Sequence, residues 1–81
     1  MRLPRDLSGR DLANALGHLG YQVARQKGSH MRLTASLPKG EHHVTIPDHD
    51  PLKVGTLGNI LKDVAAHIGL SRDELLARLF S

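Results

Sequence analysis

The hydrophobic period of this chain changes twice, and no other feature limits its fold as sharply. Leu12, Leu16 and Leu19 recur at helical spacing, with Ala13 and Ala15 beside them, until Gly20 stops the pattern. From Tyr21 the period falls to two: Tyr21, Val23 and Arg25 alternate with Gln22, Ala24 and Gln26, which predicts a strand with one half-buried face. Alternation returns over residues 30–36 and 42–46. The runs are divided by a Lys27-Gly28-Ser29 turn and a second turn over 37–41, and the last is closed by Pro47. A polar loop over 48–55 follows, after which Leu57, Ile60, Leu61, Val64 and Ile68 restore the helical period up to Gly69.

Local capping chemistry agrees with these periods. Ser8 with Asp11 at the third helical position, and Leu7 facing Leu12 as a staple, predict a first helix over 9–19. Thr56 is the expected N-cap of the second helix. Ser71 with Glu74, and Leu70 with Leu75, predict a short third helix carrying Leu76, Leu79 and Phe80. The order helix, three strands, helix, helix implies an α+β sandwich of two layers, an antiparallel meander with helices on one face.

Eighty-one residues make one expected domain over 1–81, too short to enclose a large substrate. Without cysteine, and with one Tyr and one Phe, its stability must come from Leu, Ile, Val and Ala packed between helices and sheet. No apolar run approaches the roughly 18 residues of a membrane span. Met1, Arg2, Leu3 and Pro4 lack the apolar core of a signal peptide, so a cytoplasmic protein is expected.

The net charge of +3 is unevenly placed. Residues 1–40 hold seven bases and two acids, residues 41–81 four bases and six acids, which predicts a basic and an acidic face. Between Leu12 and Gly40 there is no acid, while Arg25, Lys27, Arg32 and Lys39 lie there. Such a stretch suits a polyanion held through counterion release; a solvated basic edge is the alternative.

Six histidines are candidates for proton transfer or ligation. His18 and His67 fall near helix C-termini, where positive charge meets the macrodipole favourably. His42 and His43 are strand neighbours, so they point to opposite faces and cannot close on one metal. His49 lies between Asp48 and Asp50, a trio better suited to turn formation, with aspartates bonding nearby N–H groups, than to a four-ligand metal site. His30 differs. It follows Gly28 and Ser29 at a tight turn, after Arg25 and Lys27 and before Arg32. There Gly28 lets the backbone approach a phosphate, Ser29 can donate to it, and the bases hold the chain while His30 moves a proton. A hairpin turn whose histidine merely faces water is the alternative. Gly28-Ser29-His30-Met31 also spells a cleaved-tag scar, but 27 residues forming a capped helix and a strand precede it.

Taken in order, three segments resemble the HicA toxin family, the small YcfA-like RNA-cleaving partners of HicB antitoxins. They are Ser8-Gly-Arg-Asp-Leu12 leading to Gly20-Tyr21; Arg25-Gln-Lys-Gly-Ser-His30; and Val44-Thr-Ile-Pro-Asp-His49 followed by Gly55-Thr-Leu and Ile60-Leu61. The resemblance implies a fold similar to double-stranded-RNA-binding domains and a metal-independent endoribonuclease acting on mRNA, without a cofactor. It implies His30 as the catalytic residue, and for Arg25, Lys27, Gly28, Ser29 and Arg32 a general role in holding RNA. Gly58 stands where many relatives carry a basic residue, and residues 63–67 lengthen the helix before Gly69-Leu70-Ser71.

The mechanism expected on this basis has RNA across the sheet, with His30 taking the proton of a 2′-hydroxyl that attacks the adjacent phosphorus. Strand alternation leaves open how many of Arg25, Lys27 and Arg32 share a face with His30. A non-catalytic module gripping duplex RNA by shape is the competing expectation. A third is that the chain acts mainly as half of a regulatory pair, its basic turn masked by an acidic antitoxin.

Overall fold

The structure, a computed structural model, describes residues 6–80. Residues 1–5, on which the leader argument rests, and residue 81 lie outside the described residues. Six elements follow one another: α1 (Gly9–Gly17), β1 (Gln22–Lys27), β2 (His30–Leu37), β3 (Gly40–Pro47), α2 (Val54–Ile68) and α3 (Arg72–Phe80). The strands form an antiparallel sheet in the order β1-β2-β3. This is the two-layer α+β arrangement that the sequence periods predict, and it is of the double-stranded-RNA-binding-domain type that the family resemblance implies.

α1 starts where its caps require. The Ser8 hydroxyl accepts from the Asp11 N–H at 3.0 Å, and the Asp11 carboxylate accepts from the Ser8 N–H at 3.2 Å, satisfying two donors at the helix start. Its end comes two residues sooner than the period suggests. Leu19 and Gly20 donate to the carbonyls of Leu16 and Gly17, and Tyr21 reaches back to Leu16, a tightened last turn that closes on Gly20 at φ +96. α3 carries a like box: the Glu74 N–H donates to the Ser71 hydroxyl at 3.1 Å and the Ser71 N–H to Glu74 at 3.0 Å. These bonds hold the Glu74 carboxyl below its ordinary range.

α2 corrects an expectation, since it begins at Val54 with Lys53 as N-cap, so that Thr56 lies within the first turn. Leu52 is buried and its N–H donates to the Leu7 carbonyl at 2.7 Å, which anchors the chain just ahead of the helix start. The second hairpin turn is also shorter than 37–41, because Leu37 pairs with Gly40 and leaves Pro38 and Lys39 alone at the tip.

The core lies between one face of the sheet and the three helices. Leu12 and Leu16 of α1, Met31 and Leu33 of β2, Val44 and Ile46 of β3, Leu57, Leu61 and Val64 of α2, and Leu75 and Leu76 of α3 are buried together. The sheet's buried residues all belong to β2 and β3. β1 is exposed along its whole length, and Val23, expected on a half-buried face, remains 50% exposed. Its alternation marks the pleat of an edge strand rather than a buried side.

A polar island joins the layers. The Tyr21 hydroxyl lies 2.7 Å from His42 Nδ1, and His42 Nε2 lies 3.3 Å from the Asp63 carboxylate. The two ring nitrogens thus link the phenol on one side to the carboxylate on the other. His67 stacks on His42 at 4.0 Å between ring centroids, so its place is set by that ring as well as by the end of α2. Burial and the nearby Asp63 charge push the Tyr21 phenol up to about 12.

Candidate functional site

Strand register decides which side chains meet on the sheet face turned away from the helices. Met31, Leu33 and Ala35 point into the core, so their neighbours His30 and Arg32 point out. Lys27 pairs with His30, and Arg25 pairs with Arg32, which pairs in turn with Thr45. A bulge between Val23 and Arg25 shifts the register. It brings Arg25 opposite Arg32 on the outer face, although uninterrupted pairing from Val23 opposite Leu33 would set Ala24 there.

These five side chains, Arg25, Lys27, His30, Arg32 and Thr45, line an open cleft of about 250 Å³. His30 is exposed in it. Among the described residues, no ion pair joins Arg25, Lys27 or Arg32 to a carboxylate. Glu41, on the same face, lies at the far end of β3 and is 3.7 Å from His43 Nε2. The cleft therefore presents uncompensated positive charge around one imidazole, an arrangement that attracts a phosphodiester.

Gly28 and Ser29 are placed differently from the other expected RNA-binding residues. They form the two-residue turn joining Lys27 to His30, beyond the cleft's lining. Gly28 takes φ +57, and with glycine in the first central position the turn suits the twist of its strands. The Ser29 carbonyl is bonded: it accepts from the Asp48 N–H at 2.6 Å.

Asp48 does more than form a turn. Its carboxylate accepts from Arg10 at 3.2 Å and from Gln26 at 3.3 Å, side chains of α1 and β1, in place of the local N–H groups expected from the sequence. No set of three His, Asp or Glu side chains converges as metal ligands among the described residues. His42 and His43 do face opposite sides, one buried and one exposed. Sequence reasoning missed Thr45, whose place depends on pairing with Arg32, and missed the Arg10, Gln26, Asp48 contact, whose members are far apart along the chain.

With this geometry in view, comparison with known families is informative. The family model described as HicA toxin of bacterial toxin-antitoxin matches residues 9–65. The chain belongs to the HicA toxin family. The HicA match runs from the first residue of α1 through the meander and most of α2, and it contains all five cleft residues. As a HicA family member, the protein is a toxin of a toxin–antitoxin system, which implies an antitoxin partner. α3 lies outside the HicA match, as do the last residues of the long α2. No curated protein and no solved structure matches the chain. Among the described residues, no helix is long and apolar enough to cross a membrane.

Proposed function

We propose that this toxin is a metal-independent endoribonuclease that cleaves mRNA in the cytoplasm, with His30 as its catalytic residue. The observation that carries the reading is the exposed His30 ring in a cleft with Arg25, Lys27 and Arg32 on one face of the sheet. An RNA strand lies across that face with a phosphate in the cleft. His30 takes the proton of the ribose 2′-hydroxyl, whose oxygen attacks the adjacent phosphorus. The bond from phosphorus to the 5′ oxygen breaks, a cyclic phosphate remains on the ribose, and the departing oxygen takes its proton from water. Arg25, Lys27 and Arg32 offset the negative charge that builds on the phosphoryl oxygens. Gly28 and Ser29 act by shaping the turn that presents His30 and by leaving room for the sugar-phosphate chain.

A HicB-type antitoxin with an acidic surface would cover the basic cleft and exclude RNA by charge and by volume. The experiment is cleavage of labelled RNA in excess chelator by the wild type and by His30→Ala. Shortened products from the wild type alone are the expected result. Equal cleavage by the variant removes His30 from the chemistry, and retarded migration without cleavage by either protein makes the chain an RNA-binding module. Saturation with antitoxin is expected to suppress the products.

A further inference from the structure

The turn that presents His30 is fastened from beneath. Asp48 stands where β3 leaves the sheet, one residue past Pro47, which pairs with His30. Its N–H reaches the Ser29 carbonyl at 2.6 Å, so the residue before His30 is tied to the β3 exit by backbone. Its carboxylate receives Gln26 Nε2 at 3.3 Å, which ties the other limb of the same hairpin. Arg10 Nη2 lies 3.2 Å from that carboxylate and 3.3 Å from Gln26 Oε1, so one guanidinium nitrogen bridges the two. Arg10 is itself held at the start of α1, where the Gly9 N–H donates to the His49 carbonyl at 2.9 Å. Gly9 packs closely against the β3 exit: a Cβ there would collide with the Pro47 carbonyl oxygen.

The first turn of α1, the end of β1 and the exit of β3 thus meet at one corner, and the Lys27-Gly28-Ser29-His30 hairpin end projects from it. We infer that Arg10, Gln26 and Asp48 form a positioning cluster that fixes the His30 ring against Arg25 and Arg32. The inference rests on the reading of His30 as the proton-moving group. Arg10 is absent from the cleft lining and its charge is met by Asp48, so its work is on geometry rather than on RNA affinity. Misplacement of a reacting group by about 1 Å can cost on the order of a hundredfold in rate, so a corner that holds a turn in place acts on kcat.

The test is a double-mutant cycle of Arg10→Ala, Asp48→Asn and the pair, with RNA cleavage resolved into kcat and KM. Asp48→Asn keeps the backbone bond to Ser29, and Lys62→Ala, an exposed cation on α2, serves as the control. Each single variant is expected to lose about tenfold in kcat at unchanged KM, and the pair is expected to lose no more than either alone, because the residues act as one unit. Arg10→Lys, which restores the charge, is expected to recover part of the rate. The proton resonances of the His30 ring are recorded in parallel and are expected to shift in both single variants but not in the control, a readout independent of cleavage. Unchanged kcat with unchanged ring resonances overturns the inference. So does a rise in KM at constant kcat, which would make Arg10 an RNA contact. Ring shifts in a protein whose wild type cleaves nothing would uphold the positioning role while removing the nuclease reading.

Discussion

Arg25 and Arg32 stand directly opposite each other across the β1–β2 ladder, both on the face that carries His30. Like charges in that relationship repel, and among the described residues no carboxylate pairs with either. Replacing Arg25 by Thr is therefore expected to raise stability by about 0.2–1 kcal/mol, the usual size of a cross-strand pair effect. The same change is expected to weaken RNA binding. Thermal denaturation and RNA titration on one preparation check the trade, and a fall in melting temperature would show that the two guanidinium groups are not in conflict.

Salt dependence separates the cleft's cations from Arg10. Each of Arg25→Thr, Lys27→Thr and Arg32→Thr is expected to reduce the slope of log affinity against log salt by roughly one, since each removes one phosphate-contacting charge. Arg10→Ala is expected to leave the slope unchanged. RNA titrations at several salt concentrations, with the catalytic step blocked by His30→Ala, provide the measurement.

Two glycines at helix starts should respond oppositely to one methyl group. Gly9→Ala drives a Cβ into the Pro47 carbonyl and is expected to cost about 1–3 kcal/mol, the range for overpacking, despite the better helix propensity of alanine. At Gly55, in the first turn of α2, a Cβ meets nothing within 4 Å. Gly55→Ala is expected to stabilise by about 0.4–1 kcal/mol. Denaturant unfolding of both variants tests the contrast.

Alkaline titration should expose the polar island. The Tyr21 phenol is pushed up to about 12 from 10.0, so the folded state holds its proton more tightly than the unfolded chain does. The stability gained from this is present in full below about pH 10 and is lost as pH rises toward about 12. The chain has a single Tyr and no Trp, so phenolate absorbance reports this group alone. A midpoint near 10 in the folded protein would contradict the burial of the phenol near the Asp63 charge, and Tyr21→Phe is expected to remove this contribution.

Much of the fold could be read from local pattern, and the failures have identifiable causes. The Ser8–Asp11 and Ser71–Glu74 boxes are written in residues three apart and form as written. Thr56 does not cap α2, which starts at Val54 just after a long-range backbone bond from Leu52 to Leu7 that no local pattern announces. Alternation in β1 was visible, but whether either side would be covered depends on where the helices pack. His42 and His67 lie 25 positions apart, and no spacing rule announces that they stack.

What the sequence determined by itself is the set of elements, their order, and the gathering of basic residues around one glycine turn with a histidine, because period, caps and turn chemistry act over a few residues. Only the tertiary structure decided that Arg25, Lys27, Arg32 and Thr45 share a face with His30, and that Arg10, Gln26 and Asp48 meet beneath the turn. The reason is register. Side chains alternate along a strand, so a one-residue bulge such as that between Val23 and Arg25 moves a cation from one face of the sheet to the other, and pairing between distant segments settles that choice.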